Sequence, residues 1–136
     1  TMLNLWYNGI MKKAFTTIEI LTTVAFLCVA FVLFINQQNQ VNQRLRDQER
    51  KASINSLYFN LKDVYFKKNG YYPEFIKPDM LDGVDPAIFS DPKKILLGDP
   101  GSDYEYKASG CTNNRCQSFT LSAKLETEAT YSKSAK

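Results

Sequence analysis

Histidine is missing from all 136 residues, and cysteine occurs only three times, at positions 28, 111 and 116. There is thus no imidazole for metal binding or proton transfer, and there are too few thiols to complete a zinc site. An enzyme is the most distant functional class to consider. Strong charge of either sign is also lacking, since 17 basic against 14 acidic residues give +3, and +1 (15 against 14) once Lys12 and Lys13 are removed. A chain so near neutrality is not a strongly basic nucleic-acid binder, and its copies can stack with little repulsion. Proline and glycine are both absent from Phe15 to Asn69. Nothing in that stretch therefore obliges a helix to stop.

The first part of that stretch is an apolar run, FTTIEILTTVAFLCVAFVLFI, from Phe15 to Ile35. As a helix it would rise about 31 Å, enough to cross a hydrocarbon core of about 30 Å. Lys12 and Lys13 precede it, which predicts a start on the cytoplasmic side. Glu19 interrupts it. A carboxylate in a membrane helix costs about 2.5–3.5 kcal/mol when central, so Glu19 predicts a function and a positively charged partner. A cleaved secretory signal fits poorly, because the run is long and the Asn-Gln-Gln-Asn-Gln after Ile35 offers no small-x-small site. An ordinary signal anchor explains the lysines and the length but gives Glu19 no reason to be there. Cys28, inside the run, reads as a small apolar residue.

The string Met11-Lys-Lys-Ala-Phe-Thr-Thr-Ile-Glu19 resembles the amino-terminal signature of type IV pilins and pseudopilins. That signature is a short basic leader ending in a small residue, then Phe-Thr-x-x-Glu running into the apolar helix. The resemblance implies cleavage between Ala14 and Phe15 by a prepilin peptidase and methylation of the Phe15 amino group. It also implies an assembly role for Glu19, paired with the amine of Phe15 in its own or a neighbouring subunit. Ala14 stands where the family usually has Gly, and the run lacks the Gly and Pro that many members carry in its second half. Later matches are Asn69-Gly70-Tyr71-Tyr72-Pro73, Asp99-Pro100-Gly101 before Tyr104-x-Tyr106, and Leu121-x-Ala123-x-Leu125-Glu126.

Together these imply an α+β fold in which a long amino-terminal helix, membrane-spanning in its first half, packs on a small antiparallel sheet. The implied function is a structural subunit of a type IV pilus-like filament, a homo-oligomer assembled by bundling of the apolar helices. Its implied route runs from the cytoplasmic membrane, with the carboxyl terminus outside, through a membrane assembly platform to an extracellular filament. The alternative is a minor pilin or pseudopilin of a secretion or DNA-uptake system, acting at a tip and binding a surface or nucleic acid. In some pseudopilins a loop in this region binds calcium, and here Asp99, Ser102, Asp103 and Glu105 offer oxygen ligands, although an acidic turn is more often simply solvated.

The chain accordingly divides into residues 1–14, a leader with upstream residues that is removed; 15–35, the membrane and assembly helix; 36–126, the head; and 127–136, a flexible tail. Residues 1–10 are an upstream misread start, a longer leader or a cloning remnant. Ile54, Leu57, Tyr58, Leu61, Val64 and Tyr65 have the spacing of a helix lying on a core, and Asn69-Gly70 supplies its cap. Between Asn36 and Lys51, Arg44, Arg46, Arg50 and Lys51 mix with Asp47 and Glu49, which predicts a solvated helix face. Asp85–Phe89 and Asp91–Leu97 begin with Asp-Pro and predict short helices. Residues 103–108 and 117–126 alternate apolar and polar, which predicts an antiparallel hairpin. Cys111 and Cys116, close together in the connecting turn with no His or further Cys nearby, predict a disulfide worth about 2 kcal/mol outside a reducing compartment.

Overall fold

The computed structural model describes residues 16–136, so Ala14, Phe15 and the residues before them, with the cleavage and methylation they are predicted to undergo, lie outside the described residues. The described chain is α+β: a long amino-terminal helix and a small antiparallel sheet region. It falls into two units, one ending at Asn39 and one running from Gln40 to Lys136, and helix α1 (Thr17–Phe59) belongs to both.

In the first unit every described residue is exposed. Thr16 caps α1: its carbonyl takes the Glu19 amide at 3.0 Å, and its hydroxyl lies 3.3 Å from the same nitrogen. The hydroxyls of Thr22 and Thr23 donate back to the Glu19 carbonyl, and Asn36, just past the apolar run, donates to the Val32 carbonyl at 3.1 Å. Polar side chains on this surface thus satisfy themselves against their own helix. By length and composition the helix is sufficient to cross a membrane.

In the second unit, Ile54, Leu57 and Leu61 are completely buried, each contributing about 1.5–3 kcal/mol of apolar transfer. Val64, expected to continue that row, is 44% exposed. The reason is a π-helical segment, Asn60–Tyr65, between α1 and α2 (Phe66–Asn69). Its i→i+5 bonding puts an extra residue in the turn, so Phe66 rather than Val64 returns to the core, stacked on Tyr72 at 4.6 Å. Gly70 ends α2 at φ 77°, with its amide on the Phe66 carbonyl at 2.7 Å, the left-handed cap that glycine adopts most readily.

The main sheet has the order β2-β4-β5, where β2 is Tyr104–Ser109, β4 Ser118–Ala123 and β5 Tyr131–Ala135. All pairings are antiparallel, and Tyr106, Leu121 and Lys133 align across the three strands. Phe119, Leu121 and Ala123 form the buried face of β4, and Phe119 packs against Tyr58, Tyr72 and Tyr106. A two-stranded ladder joins β1 (Tyr72–Pro73) to β3 (Arg115–Cys116).

Three expectations need correction. Residues 127–136 are not a flexible tail throughout, because β5 completes the sheet and buries Ala135. Its alternation is disguised by Lys133 on the inner side of an edge strand, where the ammonium lies 5.3 Å and 5.4 Å from the rings of Tyr58 and Phe59. The hairpin strand stops at Ala123 and does not reach Glu126, since the following residues turn to meet α1. Pro86–Phe89 is a 3₁₀ turn capped by Asp85, as expected, but Asp91–Leu97 is not helical. The Asp91 carboxylate instead accepts the amides of Lys93, Ile95 and Asp103 and so shapes the whole loop.

Candidate functional site

Glu19 sits in the first turn of α1, and among the described residues its carboxylate has no ion-pair partner. Thr16, Thr22 and Thr23 stand one turn from it, and on the same stretch of helix Ile18, Ile20, Leu21 and Phe26 are exposed apolar side chains. A helix surface of this kind is stable only when something other than water covers it, and whatever covers it must also accommodate one acid. The free thiol of Cys28 lies on the same exposed helix.

A second concentration of charge lies where sequence reasoning predicted a solvated face, and the structure corrects that expectation. Asp47 and Arg50 continue the row of Ile54, Leu57 and Leu61 back along α1, and both are buried. Arg50 bonds Asp47 at 2.9 Å and, through its other terminal nitrogen, Asp103 and Glu126, each at 2.9 Å. Arg46 grips Glu126 with two hydrogen bonds of 2.8 Å and 2.6 Å, and Lys93 closes on Asp103. Asp47 also accepts the amides of Glu126 and Thr127 and the Thr127 hydroxyl, at 2.8 Å, 2.8 Å and 2.7 Å. Three cations therefore face three carboxylates, and among the cluster's buried polar atoms only Arg50 Nε lacks a hydrogen-bond partner, so the buried charge is largely compensated. The signal for this was available: positions 47, 50, 54, 57 and 61 keep a three-four spacing, but the first two are charged.

Burial pushes the Asp47 carboxyl up, but the Glu126 amide, the Thr127 hydroxyl and amide, and Arg50 outweigh it and hold the group at about 2. The Arg46 hydrogen bond does most to hold Glu126 at about 2, with partial burial opposing it and Arg50 assisting. Both folded values lie below the ordinary 3.8 and 4.5, so the unfolded chain takes up protons first as the pH falls. Their stabilisation is complete above about pH 5 and is lost as the pH drops toward 2, with Asp47 alone accounting for on the order of 2 kcal/mol. Urea midpoints at about pH 5, 3 and 2 should fall accordingly, and Asp47→Asn should flatten the profile. An equally steep profile in Asp47→Asn would remove Asp47 as its cause.

Asp99, Ser102, Asp103 and Glu105 all border one open groove of about 840 Å³. Asp103 is held by Arg50 and Lys93, Glu105 pairs with Lys107 at 2.7 Å, and the Ser102 hydroxyl accepts the Tyr104 amide. Among the described residues no group of three or more acidic or thiol side chains is placed to hold a metal.

Cys111 and Cys116 are joined in a disulfide. Between them Thr112 pairs with Arg115, and Asn113 and Asn114 make the turn at φ 49° and 61°, a left-handed pair for which Asn is among the best side chains. Cys116 is buried and aligned with Tyr72, so the bridge pins the turn to the segment that follows α2. No family model, curated protein or solved structure matches this chain significantly.

Proposed function

We propose that this chain is a structural subunit of an extracellular type IV pilus-like filament, anchored in the cytoplasmic membrane before assembly and bundled through its apolar helix afterwards. The observation that carries the reading is Glu19, a single acid in an otherwise uncharged run of exposed residues from Ile18 to Ile35. A helix needed only as an anchor gains nothing from a carboxylate and bears the insertion cost. Removal of the leader at Ala14 creates an amine on Phe15, close in sequence to that acid. Pairing between the two neutralises both charges in a low-dielectric bundle, so it selects alignment more than it adds stability. The disulfide supports an extracytoplasmic head, because such bonds persist outside reducing compartments.

Surface filaments from cells with and without the gene, followed by intact mass of their subunits, test the assignment. The expected mass begins at Phe15. Co-expressed Glu19→Gln subunits should insert in the membrane as well as the unaltered chain but enter filaments less often, by more than the roughly fivefold that an exposed pair of about 1 kcal/mol would give. Equal incorporation would end the electrostatic role of Glu19. Absence of the chain from any surface filament would end the assignment itself.

A further inference from the structure

We propose that Asp82, on the exposed turn before Gly83, is a site of spontaneous backbone modification, converting to isoaspartate through a cyclic imide, and that Lys68 is the side chain that restrains the conversion. An Asp or Asn followed by Gly closes such a ring most readily, because glycine leaves its own amide nitrogen free to swing onto the preceding side chain. The described residues contain two pairs of this kind, Asn69-Gly70 and Asp82-Gly83, and all four residues are exposed. In an unfolded chain the carboxamide pair is the faster of the two. Hydrogen bonding reverses that order in the fold. The Gly70 amide donates to the Phe66 carbonyl at 2.7 Å and the Asn69 side-chain amide to the Tyr65 carbonyl at 2.9 Å, so the helix cap engages both reacting groups elsewhere. The Gly83 amide has no backbone acceptor among the described residues, its φ is 74°, and nothing stands within 4 Å of where a side chain would be.

The step balances without a co-reactant. The Gly83 nitrogen bonds to the side-chain carboxyl carbon of Asp82, the amide proton and the carboxyl OH leave together as water, and a later water reopens the ring at either carbonyl. Opening at one restores aspartate, and opening at the other routes the main chain through the former side chain. In the second product the oxygen that now accepts from the Asn60 side chain at 3.0 Å belongs to a pendant carboxylate, so the turn loses its tie to the π-helical segment. The neutral carboxyl is the form that loses water, and an ionised one resists attack. Lys68, from α2, lies 2.8 Å from the Asp82 carboxylate and holds it below the ordinary carboxylate range. Among the described residues no other charged side chain lines the small cavity of about 170 Å³ at this turn, whose remaining walls are Asn60, Val64, Tyr65, Asn69 and Met80. The pairing keeps Asp82 ionised and so slows the reaction, and a fall in pH relieves the restraint.

Prolonged incubation of the full chain in detergent, followed by peptide mapping and enzymatic methylation of isoaspartate, decides it. At about pH 5 isoaspartate should accumulate at position 82 faster than Asn69 deamidates, and faster than it does at about pH 8. Lys68→Gln should raise the rate at position 82 by about two- to fivefold, the range of an exposed ion pair. In urea at about pH 8 the order of the two sites should reverse, because unfolding frees the Gly70 amide. Isoaspartate at position 82 no higher than at Asp79, which Met80 follows, overturns the site. An unchanged rate in Lys68→Gln overturns the restraint, and an Asn69 that stays intact in urea overturns the argument from its cap. None of these readings depends on whether the chain enters a filament, so the modification site and the proposed function fail separately.

Discussion

Arg50→Ala is expected to lower the unfolding free energy by about 3–5 kcal/mol, the cost of leaving buried charge without its partner. Its guanidinium is fully buried and bridges Asp47, Asp103 and Glu126, so its removal leaves carboxylates that Lys93 and Arg46 only partly neutralise. The loss is a large fraction of a typical domain's total stability of about 5–15 kcal/mol. Urea denaturation of the full chain in detergent, followed by the sheet's circular dichroism, reads it. Arg46→Ala is the comparison, because Arg46 is 40% exposed and a pair at such a site contributes about 1 kcal/mol or less. Similar losses in the two variants would show that burial of Arg50 confers no special weight.

Phe119→Ala should cost a comparable amount, about 3–5 kcal/mol, for a different reason. Phe119 is 1% exposed, and its ring centre lies 4.7 Å from that of Tyr72, 5.7 Å from Tyr106 and 5.8 Å from Tyr58. Those neighbours come from three separate parts of the chain, and Tyr106 is further fixed by its hydroxyl, which donates to the Pro73 carbonyl at 2.6 Å. They cannot all collapse into the space left behind, so the cavity term remains alongside the lost transfer energy. Leu96→Ala, at a position 45% exposed, should change the same midpoint by no more than about 0.5 kcal/mol. A Phe119→Ala midpoint close to that of Leu96→Ala would place the core elsewhere.

The helix, its glycine cap, the β2–β4 hairpin and the cysteine bridge were legible in the sequence because each depends on neighbours in the chain. Gly70 needs only its own φ, and the alternation at Phe119, Leu121 and Ala123 needs only a strand. The features that were not legible depend on distant residues. Val64 fails as a core residue because the π segment shifts the helical phase, and the core that draws Phe66 inward includes Tyr72 beyond the cap. Asp47 and Arg50 read as solvent-facing because charge is the usual mark of exposure. What makes them interior is Glu126 and Thr127, from the far end of the chain. The same holds for β5, where an inward lysine is acceptable only because two aromatic rings from α1 receive it. Glu19, by contrast, was conspicuous in the sequence, and the structure adds only that its surroundings are open.

The placement of Asp47 also sets a schedule for biosynthesis. Its partners lie 79 and 80 residues later in the chain, and β5 pairs with β4 later still. At translation rates of about 5–20 residues per second, α1 waits on the order of 4–16 s with a buried-type carboxylate and arginine still facing water before residues 126–135 are made. Only at the end of that interval, over the roughly 0.6–2.4 s between completion of β4 at Ala123 and of β5 at Ala135, does β4 have β2 on one side and a bare edge on the other, the kind of edge to which foreign strands add. Encounters between nascent chains in that short window thus meet a β4 edge that the finished sheet covers with β5.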